Sequence, residues 1–258
     1  MQKKFNFKCI IRRVLIVLLW LCVWQAASMA VGQELLLPSP IQTVRRLAEM
    51  TCTLEFYGII LRTLARVMIG TFIAVILGII IAVFSAAVPL MHDIIAPVMT
   101  VIKSVPVASF IILLILWTGN DTVPSVISML MVLPIVWSNV ETGIKQTDSS
   151  LIEMSRLYKM SMRKKISNIY IPSVMPYFIS SLNSSLGLSW KAGIAAEIIA
   201  PPLIAIGRQM YLSKMYLETT DLFAWTLTVV IISLCVEQLT VLLIKRTMGS
   251  GAHIGGQK

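Results

Sequence analysis

Val67-Met-Ile-Gly70-Thr-Phe-Ile-Ala74-Val-Ile-Leu-Gly78-Ile-Ile-Ile-Ala82-Val-Phe-Ser-Ala86-Ala-Val88 runs from position 67 to 88 without a charge. At about 1.5 Å per helical residue this run spans roughly 33 Å, close to the thickness of a bilayer's hydrocarbon core. Gly70, Ala74, Gly78, Ala82 and Ala86 recur every fourth residue. The spacing predicts a helix with small side chains along one face. In lipid, where no hydrophobic drive pulls helices together, such a face lets another backbone approach closely.

Similar runs extend on both sides. Val14 to Val31 follows the basic residues Lys3, Lys4, Lys8, Arg12 and Arg13 and reads as a first span. Its rival is a cleaved signal peptide ending near Ser28-Met29-Ala30; the length of the run and the spans after it favour a retained helix. Leu35 to Tyr57, opened by Pro38-Ser39-Pro40, is amphipathic and suits a helix on the membrane surface. Ile94 to Trp117 is a third span, interrupted at Lys103-Ser-Val-Pro106, where proline demands a kink or a break. Val123 to Val140, Ile169 to Ile199 and Leu222 to Ile244 complete a set of six. The expected fold is an all-α integral membrane bundle of about six helices.

Composition agrees. Of 258 residues 57% are hydrophobic and 13% charged, with a mean hydropathy of +0.85. A soluble domain needs no such excess, because its surface must face water. The net charge of +10 does not point to nucleic acid, since the cations lie beside apolar spans rather than among surface aromatics. Six spans put both termini, Ser85–Asp93 and Glu141–Asn168 on one side, with 14 of the 22 Lys and Arg. The positive-inside rule makes that side cytoplasmic, although Arg45, Arg46, Arg62 and Arg66 fall on the other. The expected layout is a cytoplasmic N-terminus (1–13), a first span (14–31), an external amphipathic segment (32–66), a core (67–246) containing a cytoplasmic loop (141–168), and a cytoplasmic tail (247–258).

Catalytic machinery is not legible. His92 and His253 are the two histidines, and Cys9, Cys22, Cys52 and Cys235 show no paired spacing. Neither a metal set, a nucleophile constellation nor a phosphate-cradling loop can be assembled. The chain reads as a non-enzyme with no bound cofactor. If transport is active, its energy comes from an ion gradient or a separate ATPase. Lys103, Glu197 and Glu237 make a thin set for an ion pathway, so an ion-coupled carrier or channel acting alone is the alternative reading and a partner ATPase the leading one.

Within the cytoplasmic loop, Leu151, Met154, Leu157 and Tyr158 fall on one face of a short helix, with Glu153, Arg156 and Lys159 around it. Ser149 or Ser150 is a candidate cap. An apolar face uncovered by its own chain fits a groove on another protein. It also fits an interfacial helix drawn to anionic lipid by Arg163-Lys164-Lys165.

This segment resembles the coupling loop of ABC importer permeases. Glu153 takes the place of the Glu in their Glu-Ala-Ala, Met154-Ser155 that of the alanines, and Ile169-Tyr-Ile171-Pro172 that of the closing Ile-x-Leu-Pro. Lys159 stands where the family usually has a glycine, a residue suited to a left-handed turn. Further matches follow the nitrate/sulfonate/taurine branch: Leu37-Pro-Ser-Pro40, Arg62-Thr-Leu-Ala-Arg66 through Gly70, Lys103-Ser-Val-Pro106, Leu116-Trp-Thr-Gly119, and Gly187-Leu-Ser-Trp190-Lys191 through Glu197. Together they cover residues 37 to 246.

The resemblance implies a type I ABC importer permease fold, five core helices plus an N-terminal helix, in a bacterial inner membrane. It implies a cytoplasmic ATPase carrying ATP and Mg, an extracytoplasmic binding protein, and a second permease copy, often identical. The coupling residues would be Glu153, Met154, Ser155, Arg156, Leu157, Lys159, Met160, Ile171 and Pro172. Small anions of the sulfonate, taurine or nitrate kind, or a pyrimidine vitamin precursor, are the implied substrates. For the pathway the candidates are Lys103, Ser180, Asn183, Ser184, Trp190, Lys191 and Glu197. Each has a structural reading beside it: Lys103 paired with an acid or carbonyls, the serines bonding between helices, Glu197 ending its helix.

Overall fold

The computed structural model describes residues 7–248, and among these the chain is helical without strands. Its helices are α1 (Phe7–Val31), α2 (Pro40–Thr51), α3 (Leu54–Ala87), α4 (Pro89–Ser104), α5 (Val107–Trp117), α6 (Val123–Lys145), α7 (Ser149–Leu157), α8 (Met162–Lys165), α9 (Ile171–Ile199), α10 (Ile206–Met215) and α11 (Thr219–Met248). A π turn, Ile166–Tyr170, joins α8 to α9. Two compact units divide the chain, with boundaries at Ile59/Ile60, Arg208/Gln209 and Val230/Ile231.

In the unit formed by the residues before Ile60 and Gln209–Val230, the Leu37-Pro-Ser-Pro40 motif starts a helix. The Ser39 hydroxyl accepts from the Gln42 amide N–H, and the Gln42 side chain accepts from the Ser39 N–H at 2.8 Å, a capping box with Pro40 in the first turn. Trp24 donates to the Pro38 carbonyl at 3.1 Å and Ser28 to that of Leu37 at 2.9 Å, tying α1 to the motif. Arg46 of α2 grips Asp221 of α11 through two N–H groups at 2.6 and 2.8 Å. That hydrogen bonding raises the guanidinium's already high pKa, so Arg46 stays charged at any working pH. The Phe56 and Trp225 rings pack 5.2 Å apart beneath it.

The second unit is built on α6 and α9, with α3 laid against α6. The small-residue face of α3 works as its spacing predicts. A Cβ at Gly70 would stand 2.0 Å from the Ser125 carbonyl oxygen, one at Gly78 would stand 2.9 Å from the Val136 side chain, and Ala74 and Ala82 are fully buried. Around them pack Val132, Val136, Trp137 and Val140 of α6 and Met99 of α4. Polar groups in this core are bonded between helices: Trp137 donates to Ser85 at 3.1 Å, Ser128 to the Ser189 carbonyl at 3.3 Å, and the Thr71 and Ser189 hydroxyls meet.

Two departures from expectation are instructive, and between them lies a break that the sequence did place. The second span begins at Leu54, thirteen residues earlier than the uncharged run, because Arg62 and Arg66 lie within α3 rather than in an external segment. The third span breaks where Pro106 stands: α4 and α5 meet at 103°, too sharp for a kink in one rod. The stretch after α9, expected as a polar loop, contains α10.

Length and hydropathy together qualify α3, α6 and residues Thr219–Thr240 of α11 as spans, with the bent α4–α5 pair a fourth. Of the two others expected, α1 carries an apolar stretch, Leu15–Val31, among the described residues. Helix α9 has 29 residues, about 43 Å at 1.5 Å each, but its serines and asparagine dilute its hydropathy. Rows of large apolar side chains stand exposed, among them Leu15 to Leu21 on α1 and Ile69, Phe72 and Phe84 on α3. Water would not tolerate such a surface, and lipid requires it.

Candidate functional site

The hairpin between α6 and α9 starts from an anchored helix end. Glu141, buried on α6, meets Lys145 at 2.8 Å and His92 of α4 at 2.7 Å, and the His92 ring stacks on Trp137 at 5.9 Å. Tyr177 of α9 hydrogen-bonds Gln146. From this base α7 projects.

Asp148 caps α7, accepting from both the backbone N–H and the hydroxyl of Ser150 at 2.8 Å. The cap was expected at Ser149 or Ser150; three cap-forming residues stand in a row, and the carboxylate, an acceptor on both oxygens, takes the role. The hydroxyl and amide bonds from Ser150 hold the Asp148 carboxyl below its ordinary pKa.

At its other end α7 closes on Lys159, with φ at +44°. The Met160 N–H bonds the Ser155 carbonyl at 2.9 Å and the Lys159 N–H that of Arg156 at 3.0 Å. These two bonds are a Schellman motif, with lysine in the left-handed position glycine usually fills. Replacing the family's glycine therefore leaves the turn intact, at a steric cost of order 1 kcal/mol. Leu217 closes α10 the same way, at φ +60°.

Between its caps α7 buries Ser155, whose hydroxyl donates to the Ile152 carbonyl. The face read as apolar is uncovered: Leu151 and Met154 are exposed, Leu157 is 83% exposed and Tyr158 77%. Glu153, Arg156 and Lys159 are exposed around it and Met160 is half-buried. Ile171 and Pro172 form the first turn of α9, beyond the π turn.

The expected pathway residues separate by face. Ser180, Asn183, Ser184 and Lys191 are exposed and share one side of α9, while Ser181, Ser185, Ser189 and Trp190 are buried on the other. Gly187 lies in the middle of the exposed side, facing the Glu237 carboxylate of α11. Lys103, in the last turn of α4, is exposed and has no ion pair with an acid among the described residues.

Glu197 stands apart. It is wholly buried, and its carboxylate accepts from Thr63 at 3.0 Å, from the Gly207 N–H at 3.1 Å and from Arg66 at 3.5 Å. Arg66 also donates to the Ile204 carbonyl at 2.8 Å and to Asp121 at 2.7 Å, while Thr63 accepts from the Ile206 N–H at 3.0 Å. One carboxylate thus joins α3, α9 and the start of α10. Sequence reasoning noted Arg66 and Glu197 in separate motifs without pairing them, and nothing in a single chain signals a contact across 131 residues.

Comparison with known proteins fits this architecture. The family model for the binding-protein-dependent transport system inner membrane component matches residues 74–249. The bicarbonate transport system permease protein CmpB of Synechocystis sp. is 30% identical over 222 residues, covering 77% of each chain. The nitrate import permease protein NrtB of the same genus is 28% identical over 201 residues, 74% of this chain and 72% of that one. The taurine transport system permease protein TauC of Escherichia coli is 23% identical over 220 residues, 83% and 80% respectively. A crystal structure of an amino acid ABC transporter with histidines superposes with a TM-score of 0.52 at 16% identity, covering 73% of this chain and 92% of that one. The chain belongs to the family of binding-protein-dependent transport system inner membrane components. It is a transmembrane permease subunit of an ABC importer.

Proposed function

We propose that α7 is the coupling helix, seated through Leu151, Met154, Leu157 and Tyr158 in a cleft of a cytoplasmic ATPase, with both chain termini on that same side. The observation that carries this reading is the apolar face itself: a helix capped at both ends, clear of the spans, with large side chains that its own chain leaves bare. ATP, with its Mg, would bind the ATPase, and this chain would hold no cofactor. Closure of the ATPase pair draws two coupling helices together, and packed helix pairs such as α6 and α9 pass the motion on as rigid bodies.

The solute route runs along the exposed face of α9, completed by a second copy of the permease. Ser180, Asn183, Ser184 and Lys191 are too polar to face lipid, and the protomer alone leaves them open. Lys103 and Lys191 favour a small anionic solute, in keeping with relatives named for nitrate, bicarbonate and taurine. An external binding protein would deliver it. Glu197 acts as a latch holding the outer ends of α3 and α9, and Trp190 supports the route from behind.

Copurification tests the coupling helix. Leu157→Asp, or reversal of Arg156 to Glu, is expected to cut ATPase association at least tenfold while the permease remains in the membrane. Unchanged association together with unchanged transport-coupled ATP hydrolysis would overturn the assignment.

A further inference from the structure

An apolar groove of about 410 Å³ opens beside the π turn; apart from Ile171, at the end of the coupling segment, none of its lining residues has a part in coupling or passage. Val83 of α3, Ile144 of α6, Ile166 and Tyr170 of the π turn, and Val174 and Phe178 of α9 line it. Its size falls within the roughly 300–1,000 Å³ of ordinary ligand sites. Its walls offer almost nothing polar, so a water-soluble solute would lose its hydration there without replacement. The outer wall is open to the surroundings, with Val83 half exposed.

Three consecutive cations, Arg163, Lys164 and Lys165, immediately precede Ile166, a residue of the groove's wall. They form most of α8, which leads directly into the π turn; Arg163 and Lys164 are exposed and Lys165 is half-buried. Among the described residues none of them forms an ion pair. The Lys165 ammonium lies 5.8 Å from the ring centroid of Tyr170, a wall of the groove. The π turn is under-wound, the Ile171 N–H reaching back five residues to the Ile166 carbonyl, and such turns concentrate at functional sites.

We infer that this groove is a binding site for an anionic phospholipid, with an acyl chain against Val83, Val174 and Phe178 and the phosphate held by Arg163, Lys164 and Lys165. An apolar slot with a basic mouth at the membrane boundary matches both halves of that ligand, as basic pockets between spanning helices do for acidic headgroups. Neutral lipid would satisfy the slot and leave the cations unused. A soluble phosphate would satisfy the cations and leave the slot empty.

Native mass spectrometry of the purified full chain tests it, with palmitoyl-oleoyl phosphatidylglycerol as the probe and the phosphatidylcholine of identical chains as control. Phosphatidylglycerol is expected to bind at least tenfold more tightly. At roughly fivefold per charge near a membrane surface, the triple change Arg163→Gln, Lys164→Gln, Lys165→Gln should weaken it by about a hundredfold. Val83→Trp, which fills the slot and leaves the cations in place, should weaken it about tenfold. Retained ATPase copurification, which depends on α7, would show that both variants are folded. Equal binding of the two lipids by the parent chain, a comparison needing no variant, would overturn the inference. So would a Val83→Trp variant that binds phosphatidylglycerol like the parent, since the headgroup would then sit without a buried chain.

Discussion

Serine occupies both faces of α9, and the two faces have opposite fates. Ser181, Ser185 and Ser189 are buried and bonded, Ser189 taking part in contacts to both Thr71 and Ser128. Ser180 and Ser184 are exposed, the Ser184 hydroxyl turning back to the Ser180 carbonyl at 2.9 Å. In the first row Ser189 bonds across to α3 and α6, while Ser181 and Ser185 turn back to carbonyls of α9 itself. The second shares its side with Asn183 and Lys191 and stands open in the protomer. The same residue type is therefore structural or available according to which side of one helix it occupies.

The largest effect that sharpens this contrast is expected on the closely packed side of the core. Gly70→Leu forces a side chain into the Ser125 backbone, which cannot yield as a flexible side chain would. Loss of about 3 kcal/mol or more is expected, seen as disappearance of the monodisperse peak in fluorescence-detected size-exclusion chromatography. Ser184→Ala on the open face should leave that peak unchanged. Equal tolerance of both changes would erase the distinction between the two sides.

Next comes the latch. Removing one partner of a buried charged pair costs about 3–5 kcal/mol, because the other is left uncompensated. Arg66 keeps Asp121 and the Ile204 carbonyl, so Glu197→Ala should sit at the lower end, about 3 kcal/mol. A large fall in melting temperature in detergent would report it. A parent-like melting temperature would mean that the carboxylate holds nothing.

Smaller effects concern α7. Lys159→Gly relieves the left-handed strain and should stabilise the hairpin by about 1 kcal/mol, whereas Lys159→Val should destabilise it. Hydrogen exchange at the Lys159 and Met160 amides reads the difference. Smallest is the pH dependence of the cap. Because the Asp148 pKa is depressed on folding, its contribution is present above the unfolded value and is lost as pH falls below 3.8 through the folded one. Exchange at the Ser150 amide should quicken there in the parent. Asp148→Asn, which still accepts but does not titrate, should abolish that quickening.

What was legible in the sequence depended on periodicity and on single residues with strong local effects. The four-residue repeat from Gly70 to Ala86 announced a close-packed face, and α3 packs against α6 through it. Pro106 announced the break that became a 103° turn. The spacing of Leu151, Met154, Leu157 and Tyr158 announced an uncovered face, and all four are exposed. Local polarity misled where a distant partner decided the outcome. Arg62 and Arg66 read as an external segment, yet Arg66 lies within α3, with partners 55 and 131 positions away. Helix α10 escaped notice because Arg208 and Lys214 made a ten-residue helix look like loop. The groove beside the π turn was invisible for a similar reason: α3, α6 and α9 each supply two or more unremarkable apolar residues, and their convergence creates it.

The central claim is that α7 carries the contact to an ATPase. A photo-cross-linking residue placed at position 157, irradiated in intact membranes containing the whole importer, tests it most directly. An adduct between this chain and the ATPase subunit is expected, lost when the cross-linker is moved to the buried position 155. An adduct with the external binding protein, or labelling of position 157 by an impermeant reagent added outside the cell, would contradict it.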